Sequence, residues 1–465
     1  MDRKWRTLII VCVAIFMLLL DITVVNVALP SIQHDLHASF TDLQWVVDAY
    51  SLLLASVVLN AGSLGDLLGR KKVFLTGVVL FTAASLACGA ATSPLFLNLA
   101  RGAQGIGGAI MFAVSLALLS QEFHGRERGT AFGIWGATIG AAVAIGPLVG
   151  GALTEWAGWR WIFVVNLPIG ALCLYFGARV LVETRDEGHG GIDIPGQVTL
   201  SAGLFAFVLG LLRGNDWGWS SGRVVGLLAG AVAALVVFGI VELRQANPMF
   251  DVRLFRVPAF AGAQVVAFSI SSSMFAMFLY LTLYLQDELR YSPLQAGLRF
   301  LPLSMISFFV APLAGRLSSR IPIRVLLGTG MGLVAIALYL MHGVKVSSGW
   351  TTLLAGFLIG GIGIGMVNPP LATTAVSVVP PQRAGMAAGV NNTFRQVGIA
   401  TGIAGLGAIF QSSYKVGGTP AQFVHGLNDI LLVGTFVALA GAVLAFALVR
   451  GEDFVVSAPA QAAAG

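Results

Sequence analysis

Apolar residues occupy this chain in runs of roughly 18 residues or more, each closed by a short polar segment; that is the length an α-helix needs to cross a hydrocarbon core. Windows of about 19 residues resolve about fourteen such runs. The first six lie at about 8–30, 43–65, 73–92, 95–119, 129–154 and 161–182. A hydrophilic stretch, 183–195, rich in charge and glycine, then interrupts the pattern and reads as a cytoplasmic linker. Two runs follow at about 196–213 and 223–243, and after the polar segment 244–256 come six more, at about 258–285, 293–315, 325–342, 351–376, 386–411 and 429–449. The expected fold is an all-α membrane protein with 14 transmembrane helices. It divides into a six-helix bundle over 1–182, a linker with two extra helices over 183–257, a second six-helix bundle over 258–450, and a disordered cytoplasmic tail over 451–465.

Polar side chains inside the runs are few, so each carries information. Asp21 stands within the first run, where a carboxylate costs roughly 2.5–3.5 kcal/mol to insert and must face protein or a wet cavity. Desolvation opposes its charge, which makes Asp21 a candidate proton-coupling residue; the plainer alternative is an ion pair or hydrogen bond that ties two helices together. Arg101, in the fourth run with Gln104 close by, is a permanent cation. A changing Asp21–Arg101 separation would switch proton affinity, whereas an Arg101 that snorkels to the outer surface would not. The glycines after Arg101 follow no strand and read as packing surface rather than as a dinucleotide loop.

Asp48, about one turn inside the second run, either draws cations into a cavity or is solvated at the boundary. Asn391, Asn392 and Arg395 in the thirteenth run are ligand contacts or interhelical hydrogen-bonding groups. Phe275 and Tyr280 in the ninth supply adaptable surface or simple packing. Together with Asn26, Gln104 and Trp135, which lies deep in the fifth run, these residues form the candidate substrate-binding set.

The halves repeat. Residues 62–72 close the second run with small residues, an acid and three bases, and 311–320 close the tenth in a similar way; 129–133 and 385–389 open the fifth and thirteenth alike. Parallel repeats of six spans, with a substrate site near the midplane between them, are a recurrent construction of secondary transporters. In the first copy, Gly62 and Gly69 permit close helix approach, while Asp66 and Arg70 can pair with Glu122 and with Arg126 or Arg128. This is a candidate cytoplasmic gate; the alternative is a plain basic anchor formed by Lys71 and Lys72. In the fifth run, Gly136, Gly140, Gly146, Gly150 and Gly151 are expected to flatten one helix face, and Pro147 to kink it.

Composition agrees with a membrane chain: 57% of residues are hydrophobic and 10% charged. The net charge of +6 is scattered over short loops, which excludes a nucleic-acid surface and places the N-terminus and C-terminus in the cytoplasm by the positive-inside bias. Trp45, Trp156, Trp159, Trp161, Trp217, Trp219 and Trp350 fall at expected outer boundaries. The basic N-terminal stretch reads as the start of an uncleaved first span rather than as a signal peptide. Cys12, Cys88 and Cys173 share no ligand or disulfide spacing, so no metal is expected. His residues do not cluster and no Gly-x-x-x-x-Gly-Lys segment exists, which argues against an enzyme and against ATP-driven transport.

At these residues the chain resembles the major facilitator superfamily, specifically its fourteen-span drug:proton antiporters. The likeness is carried by Leu20-Asp21-x-Thr23-Val24-Val25-Asn26-Val27-Ala28-Leu29-Pro30, by 62–72, by Arg101 with Gln104-Gly105, and by 136–151. Leu67 and Ser319 depart from it, at positions where the family usually has Arg and Asp. The resemblance implies two six-helix bundles with two inserted helices, and alternating access driven by the proton gradient with no cofactor. It also implies export of hydrophobic or cationic compounds across the inner membrane, with Asp21 and Arg101 in coupling and Asp48 in cation recognition. Proton-coupled import of a small metabolite is the alternative; Arg299 near the outer end of the tenth run argues against export of dications.

Overall fold

The computed structural model describes residues 2–123, 125–185, 193–245, 248–318, 320–379, 384–414 and 418–454, apart from the side chains of 125, 126, 128, 129, 143, 384 and 385. Every regular element among them is helical. The first part contains α1 (Arg3–Leu36), α2 (Phe40–Leu68), α3 (Arg70–Gly89), α4 (Pro94–Glu122) and α5 (Gly125–Trp156), then a single turn α6 (Trp161–Val164) that leads into α7 (Asn166–Val180). A helical pair, α8 (Ile194–Trp217) and α9 (Gly222–Arg244), follows. The rest contains α10 (Pro258–Ile270) and α11 (Ala276–Leu283), α12 (Pro293–Leu317), α13 (Ile323–Met341), α14 (Thr351–Ser377), α15 (Ala384–Ser413) and α16 (Pro420–Leu448). α10 and α11 form one stretch, Pro258–Glu288, in which Ser271–Phe275 and Tyr284–Glu288 are π-helical turns.

Among the described residues, twelve helical stretches are long and apolar enough to cross a membrane, and α5 makes a thirteenth if its two bent halves count as one span. The remaining expected run, 386–411, is α15. Its 30 residues, about 45 Å of helix, give it the length, but Asn391, Asn392, Arg395 and Gln396 make it more polar than the others. The bend in α5, 42° between Thr130–Ala142 and Ala144–Trp156, falls four residues before Pro147, where a proline ring displaces the preceding carbonyl and removes its hydrogen bond.

Helices alternate between a terminal face, where α1 begins and α16 ends, and a distal face. Five of those that start distally carry side-chain caps, Ser39 on α2, Ser93 on α4, Ser221 on α9, Ser292 on α12 and Thr419 on α16, each accepting an otherwise free backbone N–H, whereas α6 and α14 start there without one. Asp42, Gln295 and Gln422 close three of these into capping boxes. On the same face Asp35 accepts from Trp159 Nε1 at 3.0 Å and from Arg160 Nη1 at 2.6 Å. Trp159 is therefore buried in this contact, whereas Trp156 and Trp161 are exposed as boundary tryptophans should be.

The expected tail is ordered in its first residues. Gly451–Asp453 forms a 3-10 turn, and the Asp453 carboxylate accepts the Ala259 N–H at the start of α10, where the helix dipole favours an anion; residues 455–465 lie outside those described. The pair α8 and α9 packs beside α2 and α15. Asn60 on α2 donates to the Asp193 carbonyl at 3.1 Å and to Gln197 Oε1 at 2.9 Å.

The first and last parts of the chain are joined chiefly by α5 with α12, α2 with α15, and α1 with α11. Toward the distal face these pairs are closed. Gln286 Nε2 donates to the Val27 carbonyl at 2.7 Å, Glu155 accepts from the Ser292 hydroxyl and the Leu294 N–H, and Gln44 donates to the Ile403 carbonyl. Gly151 and Gly297 let the α5 and α12 backbones touch, at Pro293 and Pro147 respectively. Toward the terminal face α5 is free on its glycine side: Gly133, Gly136 and Gly140 have nothing within 4 Å of where a Cβ would stand.

Candidate functional site

Asp21 is buried in the middle of α1 and is fully satisfied. Its Oδ2 accepts from Arg101 Nη1 at 2.5 Å, and its Oδ1 from Gln104 Nε2 at 2.9 Å and Asn166 Nδ2 at 3.0 Å. Arg101 is 1% exposed, so it does not snorkel. Its Nε donates to the Val46 carbonyl of α2 at 3.0 Å, Nη1 also reaches Gln104 Oε1 at 2.7 Å, and the guanidinium lies 4.3 Å from the Tyr50 ring centre. Ser85 of α3 accepts from both Gln104 and Asn166 and donates to the Phe163 carbonyl. One ion pair thus gathers α1, α2, α3, α4 and α7. The close approach this needs comes from Gly105, whose Cα faces the Tyr50 backbone, and from Gly108 against Tyr50 and Leu18.

Asn166 and Ser85 were absent from the expected set. Their signal was present, since each is a polar residue inside an apolar run, but only folding reveals that both face Asp21.

At the terminal face Arg70 at the start of α3 pairs with Asp66 near the end of α2 at 2.8 Å, and Glu122 pairs with Arg3 at 3.4 Å. The side chain of Arg126 lies outside those described. A further residue from the expected linker completes this corner: Glu183 accepts the Lys71 and Lys72 N–H groups, both at 3.1 Å, at the exposed amide end of α3. Gly69 turns the chain between α2 and α3 with φ of 106°, in the region that favours glycine, and Gly62 has open space beside it.

The candidate substrate contacts divide into two groups. Gln104, Asp48, Tyr280 and Asn391 are buried. Gln104 belongs to the Asp21 centre, and Tyr280 donates to the Ile403 carbonyl at 2.6 Å within a cluster that includes Phe40 and Phe410. Asn391 donates to Gln264 Oε1 at 3.2 Å. Asp48 is 0% exposed, and among the described residues neither of its carboxylate oxygens has a hydrogen-bond partner. It lies deeper than the boundary position expected, since α2 begins at Phe40.

Asn26, Trp135, Phe275, Asn392 and Arg395 keep part of their surface open. Asn26 belongs to a partly exposed stripe on α1 with Leu19, Ile22 and Thr23. Trp135 lies tilted against Phe112, ring centres 5.5 Å apart, with its indole N–H unpartnered among the described residues. On α5, Gly146 and Gly150 pack against Thr23 and Val24 of α1, and Gly151 against α12, whereas Gly140 packs against nothing in this conformation.

A helical bundle with a charged hub sealed inside it and a cleft between two sets of helices defines a membrane transporter fold, and comparison with known proteins places it. The family model of the Major Facilitator Superfamily matches residues 11–403, and the chain belongs to that family. It is similar to the "Multidrug resistance protein Stp" of Mycobacterium tuberculosis, 37% identical over 87% of this chain and 75% of that protein. It is also similar to the "Puromycin resistance protein pur8" of Streptomyces alboniger, 36% identical over 96% of this chain and 92% of that one. The "Tetracenomycin C resistance and export protein" of Streptomyces glaucescens is 36% identical over 88% and 76%. Among solved structures, the human organic anion transporter MFSD10 superposes with a TM-score of 0.66 at 16% identity, covering 96% of this chain and all of that one, which establishes the shared fold. The protein is thus a multi-pass membrane protein of a transporter family whose relatives are named for drug resistance and export.

Proposed function

We propose that the protein exports hydrophobic or cationic drugs and toxic compounds in exchange for protons, by alternating access to a site between the halves 1–182 and 258–450. The observation that carries this reading is the sealed Asp21–Arg101 pair with its three side-chain donors from α4 and α7. A carboxylate held this way is freed either by taking up a proton or by a shift of α4 against α1, so each event favours the other. Relatives named for resistance to puromycin and for export of tetracenomycin C support the export of drugs.

In the proposed cycle, substrate enters from the cytoplasm or inner leaflet with Asp21 ionised. The halves rock, the distal face opens, and substrate leaves in exchange for a proton; Asp48 recognises cationic centres. The proton gradient supplies the energy and no cofactor takes part. The terminal face is cytoplasmic, in keeping with Lys71 and Lys72 there, and α15 counts as the fourteenth span of an inner-membrane protein. The corner at Gly62, Asp66, Gly69, Arg70, Glu122 and Arg126 acts as the cytoplasmic gate, and the α5 glycines are the surface on which the halves roll.

Everted vesicles carrying the Asp21→Asn protein test this reading. Substrate accumulation driven by an imposed proton gradient should be abolished, with the variant still folded. Uptake that remains coupled to the gradient, or accumulation in the opposite direction, would refute it.

A further inference from the structure

Among the described residues, a cation stands partly open in the middle of α15. The two acids that lie within the apolar runs of the first half, Asp21 and Asp48, are closed off at 1% and 0% exposure. Arg395 is not: it lies near the middle of α15, about 17 Å along the helix from its first residue, and part of its surface remains open. α15 is hemmed in by α2, α8, α10, α14 and α16. Two sets of its positions are partly open: Ala388, Asn392, Arg395 and Ile399 recur with helical spacing as a stripe that carries the polar side chains, and Met386, Phe394, Val397 and Thr401 form a more apolar one on the opposite face. A guanidinium at this depth faces water or protein rather than hydrocarbon, so its stripe borders the cleft.

The Arg395 fork is almost unused. It donates one hydrogen bond, from Nη2 to Asn368 Oδ1 of α14 at 2.8 Å, and among the described residues no carboxylate pairs with it. Asn368 is itself partly open to the same side and fixes the fork without neutralising it. Arginine holds its charge at any working pH, and its planar donors match a carboxylate in two-point contact. Its counterpart in the first half differs: Arg101 is fully committed to Asp21, Gln104 and the α2 backbone.

We infer that Arg395 is an anion-recognising subsite, and that the compounds loaded from the terminal face include those carrying an acidic group such as a carboxylate. This deepens the export reading and rests on it. A substrate bearing both an acid and an amine meets Arg395 first and reaches Asp48 only after the halves have moved.

Two dyes on one xanthene skeleton, anionic fluorescein and cationic rhodamine 6G, test the assignment by fluorescence anisotropy on the full-length protein in detergent. Arg395→Gln should weaken fluorescein binding about tenfold or more and leave rhodamine 6G within about twofold, while Arg395→Lys recovers part of the loss. A second measurement does not depend on a dye finding the site. A cysteine introduced as Asn392→Cys is labelled with anionic sulfonatoethyl and cationic trimethylammonioethyl methanethiosulfonates, and Arg395→Gln should lower the anionic-to-cationic rate ratio. An equal loss of both dyes, or an unchanged labelling ratio, overturns the inference. Vesicles that bind fluorescein through Arg395 yet never move it against a gradient would instead sink the export reading and leave the subsite standing.

Discussion

Asp21 and Arg101 set the energetics at the scale of single residues. Removing one partner of a buried ion pair strands the other, and the cost is typically 3–5 kcal/mol. Asn166 offers a gentler probe, because Asn166→Ala removes one of two donors to Asp21 Oδ1 and one of two to Ser85 while leaving the ion pair intact. That change should lower stability by about 1–3 kcal/mol, read as a lower melting temperature in detergent, and a variant as stable as the parent would show that Asn166 contributes nothing to the hub. Residue types announced the pair in the sequence, since an acid and an arginine inside apolar runs have few ways to be satisfied. Asn166 and Ser85 are common polar residues, and nothing local distinguishes those that reach Asp21 from those that bond their own helix.

Among the elements, α5 is the most instructive. Its glycines look equivalent in the sequence, yet the outer ones are packed and the inner ones open. A Cβ on Gly150 would lie 2.8 Å from the Val24 backbone, whereas one on Gly136 meets nothing within 4 Å. Gly150→Ala should therefore cost about 1–3 kcal/mol through overpacking, while Gly136→Ala should leave the fold intact or slightly stabilised. Thermal unfolding of the two purified variants compares them directly, and equal losses would contradict the packing described here. Position along a helix is written in the sequence, but what stands opposite each face is not. The same limit applies to α15, whose polar residues were legible as unusual without revealing that Asn391 bonds Gln264 while Arg395 bonds Asn368 and keeps part of its surface open.

For the whole molecule, the two halves are joined toward the distal face at Glu155–Ser292, Gln286–Val27, Gly151–Pro293 and Gly297–Pro147, while α2 and α15 also meet further in, where Thr393 donates to the Ala55 carbonyl. If opening of that face is part of transport, joining α5 to α12 there should stop it. Glu155→Cys with Ser292→Cys, bridged by a bifunctional thiol reagent, should abolish vesicle transport and leave Arg395-dependent dye binding in place; full transport after complete bridging would exclude distal opening. The native thiols Cys12, Cys88 and Cys173 are buried and do not compete.

The sequence by itself determined that this protein is helical, membrane-embedded and internally repeated, because those properties follow from the length, hydropathy and spacing of runs, each a sum over many neighbouring residues. It also named the charged residues worth explaining, because a charge in an apolar run is conspicuous wherever it lies. Only the tertiary structure decided which of them are sealed together and which face open space. Arg101 and Arg395 look alike along the chain, and Glu183 looks like ordinary linker. The partners of Arg101 and Glu183 lie 80 and 112 residues away along the chain, and pairing between distant segments leaves no trace in local composition.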